Sequence, residues 1–260
     1  MATFTSQGVE CRNGMPGYMV LPNGSERVPG VIVLHERYGF VQHPRNVAER
    51  FARLGIAALA INAFFKCDFQ DSLAKGTRRY YMSDPESVQY LRAAIEKLHE
   101  TGQVADAKIA VLGMCQTGRH PLVIGAEDNS IAAAICWYGA GTQKEFEAGP
   151  YYPKPLAKIV TRINCPVLGL FGETDRHIPV CNVRRIRDLL EQSGKTFQIN
   201  VYEDAPHGFL NETMPERYRH PQSETAWHEQ MEFLGKAFNG AFGRTRAVQH
   251  YSANISADYR

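Results

Sequence analysis

The chain has 260 residues, 44% apolar and 22% charged, with a formal net charge of +2. That length fits one α/β domain with its own core, and so slight a charge imbalance points away from a nucleic-acid partner. No apolar run nears the roughly 18 residues of a membrane span, and Met1 to Gly14 lacks the apolar centre of a signal peptide, so a cytoplasmic protein without membrane contact is expected.

Taken in order, Gly17 to Leu21 reads as an extra strand at a sheet edge. Val31-Ile-Val-Leu-His35 reads as a buried strand, followed by a loop and a helical stretch from Pro44 to Leu54. Ile56 to Ile61 is a second apolar run, short enough for a strand. Residues 62–83 read as irregular, with aromatic and basic side chains. Asp84-Pro85-Glu86 opens a helix to about Glu100, with Asp84 as its N-cap and Pro85 at the first helical position. Lys108 to Leu112 is a strand that runs straight into Gly113-Met114-Cys115-Gln116-Thr117-Gly118 and a helix.

Ile131 to Tyr138 reads as the next strand, and residues 139–164, with prolines and paired tyrosines, as loop. Pro166 to Phe171 is a strand, Pro179 to Gln192 a helix ended by Gly194, Thr196 to Tyr202 a strand and Glu224 to Phe238 a last helix. Such alternation predicts a mostly parallel central sheet with helices on both faces, binding ligands at the C-terminal strand ends. Residues 239–260 form a polar tail, expected to be disordered or to reach onto a partner such as the second copy of a homodimer. None of the six cysteines, at 11, 67, 115, 136, 165 and 181, forms a C-x-x-C pair, so free thiols and no metal are expected.

Three residues follow predicted strands closely, in the order Cys115, Asp175, His207. Nucleophile, acid, histidine is the chain order of the Ser–Asp–His hydrolases built on parallel sheets. A strand ending at Gly113-Met114-Cys115 and leading into a helix describes a nucleophile elbow: a tight turn that exposes its side chain and needs small neighbours. The helix N-terminus favours a thiolate, and the Gln116 amide is available to an oxyanion. The bland alternatives are a small buried thiol for Cys115, a surface-loop histidine for His207 and a turn or cap acid for Asp175. Glu173 competes for the acid's role.

These residues resemble the dienelactone hydrolase family of α/β-hydrolases, over roughly Pro16 to Phe238. The segments that carry the resemblance are Val31 to Gly39 (VIVLHERYG), Gly113 to Arg119 (GMCQTGR), Trp137-Tyr-Gly139, Gly172 to Asp175, and His207-Gly-Phe209 with the later Ala226-Trp227. The resemblance implies an α/β-hydrolase domain over residues 1–238. It also implies hydrolysis of lactones or activated carboxylic esters through an acyl-enzyme, with no cofactor. It gives Glu36 a catalytic role, in contact with the resting thiol, and completes the oxyanion hole with the Arg37 amide beside that of Gln116.

Two departures stand out. Thr117 occupies one of the elbow's two usual glycine positions, which implies a slightly remodelled turn, and Asn211 stands where dienelactone hydrolases carry an arginine for the substrate carboxylate. Arg78 and Arg79 are the alternative anion anchor, against a solvated surface pair. Trp137, Tyr138, Phe64, Phe65, Tyr80 and Tyr81 are candidates for the pocket wall, against ordinary packing. Of a different class is a non-catalytic ligand-binding or regulatory member of the same fold. A zinc hydrolase is disfavoured, because His35-Glu36 lacks the second histidine of an H-E-x-x-H helix.

Overall fold

The computed structural model describes residues 2–243 and 247–255. Its nine strands are β1 (Phe4–Glu10), β2 (Pro16–Pro22), β3 (Val28–Leu34), β4 (Ala57–Ile61), β5 (Val104–Met114), β6 (Ile131–Trp137), β7 (Val167–Gly172), β8 (Phe197–Tyr202) and β9 (Gln249–Ala253). They form one sheet in the order β1-β2-β4-β3-β5-β6-β7-β8-β9. β1 and β2 pair antiparallel, as do β2 and β4, and every other pairing is parallel. This is the mostly parallel sheet that the alternating pattern predicts, in the arrangement that the resemblance to α/β-hydrolases implies.

The strands are apolar on both faces because both are covered. Val31, Ile32, Val33 and Leu34 are all fully buried, and each stabilises the fold by about 1.5–3 kcal/mol relative to exposure. Val31 and Val33 belong to the core on the side of α1 (Gln42–Arg53) and α7 (His220–Phe238), which Val47, Phe51 and Phe233 share. Ile32 and Leu34 face the other layer, with α3 (Asp84–His99), α4 (His120–Glu127), α5 (Leu156–Val160) and α6 (Val180–Gln192). A short helix, α2 (Gln70–Ala74), and α5 lie within segments that read as irregular or loop. Among the described residues no helix is long and apolar enough to cross a membrane.

Three expectations are corrected. β2 is not an edge strand, because β1 covers it; β1 is a mostly exposed, polar strand (FTSQGVE) that offers no apolar alternation to detect. The cap of α3 is Ser83, whose Oγ accepts from the Glu86 amide while Glu86 Oε2 accepts from the Ser83 amide. Asp84 is the first helical residue and instead receives two hydrogen bonds from Arg119, at 2.8 and 2.9 Å. The polar tail is not wholly irregular: Gln249–Ala253 adds to β8 as a parallel strand, bracketed by the Phe197 amide on the Val248 carbonyl and the Asn254 amide on the Val201 carbonyl. Residues 244–246 and 256–260 of that tail lie outside the described residues.

Candidate active site

β3, β5, β6, β7 and β8 run parallel, so the loops after them leave the same edge of the sheet. Cys115 follows β5 directly, at a φ of +54° that side chains rarely adopt. Such strain costs about 1–3 kcal/mol and persists where its surroundings fix it. Here the fixing contact is backbone on backbone: a Cβ on Gly118 would lie 2.6 Å from the Gly139 Cα, so the elbow and the loop after β6 meet through two residues without side chains.

Thr117 fills the remaining glycine position without disrupting the turn. Its hydroxyl is fully buried, donates to the His35 carbonyl at 2.8 Å and accepts from the Met114 amide at 3.1 Å. It therefore ties the end of β3, and with it Glu36 and Arg37, to the elbow. Thr117→Val, nearly isosteric but without the hydroxyl, strands a buried carbonyl and amide. It is expected to lower stability by about 1–3 kcal/mol, read as an earlier urea midpoint with unchanged slope.

Asp175 and His207 arrive through a similar close approach. A Cβ on Gly172, the last residue of β7, would fall 2.1 Å from the Ala205 carbonyl oxygen, so the loops after β7 and β8 are in contact. His207 Nδ1 lies 2.7 Å from Asp175 Oδ2, and His207 Nε2 lies 3.0 Å from Cys115 Sγ. The other carboxylate oxygen of Asp175 accepts from the amides of His177 (2.7 Å) and Ile178 (3.0 Å), which orients the group. Glu173 accepts from the Asp204 amide, and Asp175 is the acid on the imidazole. Burial by itself pushes the His207 imidazole down. Negative charge on Cys115 and the hydrogen bonds to Asp175 and Cys115 outweigh it and hold the imidazole well above its ordinary value.

Cys115 is only partly buried, whereas Cys11, Cys67, Cys136 and Cys165 are buried. Burial pushes the Cys11 thiol up to about 11 and that of Cys165 up to about 12, which leaves them protonated and poorly reactive at neutral pH. Among the described residues neither the Arg37 nor the Gln116 amide is engaged in a turn or cap hydrogen bond. The Gln116 side chain donates to the Tyr80 carbonyl. Among the described residues no three His, Cys, Asp or Glu side chains cluster so as to hold a metal ion.

Glu36 differs from the expectation. Its carboxylate is not the sulfur's hydrogen-bond partner; it accepts from Asn211 Nδ2 at 2.8 Å, while the sulfur faces His207. Both Glu36 and Asn211 are buried. The Tyr138 hydroxyl, also buried, has no hydrogen bond of ordinary geometry; burial and the nearby Glu36 carboxylate push its proton affinity well up.

Cys115, His207, Glu36, Arg37, Gln116 and Tyr138 line one cleft of about 370 Å³. Arg79 and Tyr81 line it too. Arg78 does not: its guanidinium lies 3.5 Å from the centre of the Phe69 ring. Nor does Trp137, whose indole donates to Gln230 Oε1 at 2.7 Å and packs edge-on against Trp227 on the α1/α7 side. Phe64 and Phe65 pack inside, against His35 and Tyr90. Sequence reasoning missed the cleft's other cations, Lys144, Arg176 and Arg217. They come from separate loops and share no local motif.

The profile of the "Dienelactone hydrolase family" matches residues 15–238. A protein of Escherichia coli (strain K12) named "Putative carboxymethylenebutenolidase" is 30% identical over 247 residues, covering 92% of this chain and 88% of that one. Its namesake in Methylorubrum extorquens is 26% identical, covering 82% of this chain and 74% of its own. Among solved structures, the "Putative Dienelactone Hydrolase from Klebsiella pneumoniae" superposes with a TM-score of 0.80 at 24% identity, covering 90% of this chain and 99% of that one.

Proposed function

Since the chain belongs to the dienelactone hydrolase family, we propose that it hydrolyses lactones or activated carboxylic esters, with Cys115 as nucleophile, His207 as base and Asp175 as the group that orients the base. The observation that carries this reading is the unbroken run from sulfur to imidazole to carboxylate, 3.0 and 2.7 Å per step, at the floor of an open cleft.

The steps follow from that geometry. His207 Nε2 takes the proton of Cys115, and the sulfur attacks the ester or lactone carbonyl carbon. Negative charge collects on the carbonyl oxygen, where the Arg37 and Gln116 amides are available to it. The tetrahedral species collapses by breaking the C–O bond of the leaving alcohol, which receives the proton from His207. Water, deprotonated by His207, then attacks the thioester and expels the thiolate as the acid is released. A thiolate is itself a good leaving group, so the first collapse favours products only when the departing oxygen carries its charge well. Aryl esters and enol lactones meet that requirement; amides do not.

The cleft also favours an anionic substrate. Among the described residues Arg79, Lys144, Arg176 and Arg217 line it without a carboxylate ion pair, whereas many surface arginines are paired. A substrate carboxylate among them gains charge-assisted hydrogen bonds. Arg79→Ala is expected to raise KM for a carboxylated aryl ester by about 10- to 100-fold, the equivalent of one such bond. The neutral methyl ester should be nearly unaffected. Steady-state assays of the two esters decide it: equal losses on both would remove the carboxylate from the reading. The reading as a whole is tested with an activated aryl ester, by a burst of aryl alcohol together with an acyl adduct on Cys115 in the mass spectrum.

A further inference from the structure

We propose that the side chains of Gln116 and Arg37 are positioning groups for substrate recognition: each reaches a carbonyl of the segment that carries Arg79 and Tyr81, and together they hold that wall of the cleft in place over the nucleophile. This rests on the reading of Cys115 as nucleophile and of Arg79 as the anchor for a substrate carboxylate.

The segment has little else to fix it. After α2 the chain turns at Gly76, where φ is +69°, and the amides of Thr77 and Arg78 donate to the Ser72 carbonyl at 3.0 and 3.3 Å. α3 takes over at Asp84, behind its Ser83 cap. Between these points, among the described residues, no amide from Arg79 to Met82 donates to a backbone carbonyl. A stretch with no ladder of its own is placed by what reaches it from outside.

Two side chains reach it. Gln116 Nε2 donates to the Tyr80 carbonyl, and the Arg37 guanidinium donates to the Gly76 carbonyl. A carbonyl accepts only from a donor, so the Gln116 amide has one orientation there, with its NH2 toward Tyr80. The Arg37 contact needs a glycine: a Cβ on Gly76 would lie 2.9 Å from the Tyr38 ring and 3.2 Å from the Arg37 guanidinium. The Tyr80 ring packs on Phe64, with centres 5.2 Å apart, and the Tyr81 ring stacks on the half-exposed Tyr151 at 4.4 Å. Such ring contacts tolerate sliding, whereas a hydrogen bond to a carbonyl fixes distance and direction.

Arg37 follows β3 and Gln116 follows β5, and these strands are paired. The clasp therefore ties the recognition wall to the same two residues whose amides are available to the oxyanion. A wall displaced from that point by roughly 1 Å can cost about 100-fold in an oriented reaction. Both bonds oppose the displacement, so a carboxylate held at Arg79 delivers its ester carbonyl to the sulfur at a set distance.

The decisive measurement compares a carboxylated aryl ester with its neutral methyl ester in the full chain. Gln116→Met keeps the side chain's length and the backbone amide but offers nothing to Tyr80. The ratio of kcat/KM for the two esters should fall about five- to tenfold, the weight of one hydrogen bond, and should do so through KM. A change at the oxyanion hole acts on both esters and cancels in the ratio. In an Arg79→Ala background, which lacks the anchor, Gln116→Met should leave the ratio where Arg79→Ala alone puts it. Additive losses would mean that Gln116 touches the substrate itself and would overturn the positioning role, as would an unchanged ratio in the single variant. Trypsin gives a second reading that needs no ester. Cleavage after Arg79, followed by mass spectrometry, should also quicken about five- to tenfold in Gln116→Met, since it tracks the population of the opened segment, while other sites keep their rates. Native-like cleavage there overturns the clasp. Gly76→Ala, which crowds the Arg37 contact, is expected to lower the ratio in the same direction and serves if Gln116→Met does not fold. Failure of the underlying readings shows elsewhere, as turnover that survives loss of Cys115 or as a native chain indifferent to the carboxylate, and in either case the trypsin rates still decide the clasp.

Discussion

Cys115→Ala is expected to lower kcat on an activated aryl ester by roughly 10⁴-fold or more, since loss of the nucleophile in a coupled acyl-transfer site disables the whole unit. The change removes only a sulfur from a partly exposed position, so folding should be intact and urea unfolding close to native. Residual hydrolysis should come from the Arg37 and Gln116 amides and from His207 acting directly on water. The variant should give no burst and no acyl adduct. Turnover within a few-fold of the native rate would end the assignment of the nucleophile, because the other cysteines are buried or, in the case of Cys181, on the exposed surface.

Asp175→Asn is expected to cost nearly as much, roughly 10³- to 10⁴-fold in kcat, although it swaps one atom. Asp175 accepts on both oxygens: Oδ1 from the His177 and Ile178 amides, Oδ2 from His207 Nδ1. An asparagine can keep its carbonyl oxygen on the two amides, which preserves the loop and presents NH2 to the imidazole. The ring must then accept at Nδ1 and carry its hydrogen on Nε2, the atom that faces Cys115 at 3.0 Å. A donor there cannot take the thiol proton. Because the cleft is untouched, KM should change far less than kcat, and the melting temperature little. A variant with raised KM and native kcat would make Asp175 a structural residue only.

Much of this was legible because parallel strands covered on both faces are written as continuous apolar runs. Val31 to Leu34 and Val167 to Phe171 announce themselves, and residues that follow such runs closely share one edge of the sheet. The order Cys115, Asp175, His207 could therefore be turned into proximity. The two edge strands could not be read, because β1 and β9 owe their conformation to pairing with distant segments and not to their own polar residues. Arg78 and Arg79 are adjacent, yet one stacks on Phe69 and the other lines the cleft. Trp137 and Tyr138 were equally hard to separate. The positive φ of Tyr138, +37°, breaks the alternation that would otherwise set their directions. The bond from Asn211 to Glu36 joins two loops far apart in sequence, and no local pattern around either residue announces it.

The late strand β9 also decides which strand ends the sheet. With Gln249–Ala253 in place, β8 is an interior strand, and Tyr251 sits under the Arg187 guanidinium of α6. A chain cut before Gln249 would turn the β8 ladder into an open row of amides and carbonyls, a template onto which another molecule's strand could add. Since β8 leads to His207, such a chain would lose turnover and become turbid together, and the loss would be colloidal before it was chemical.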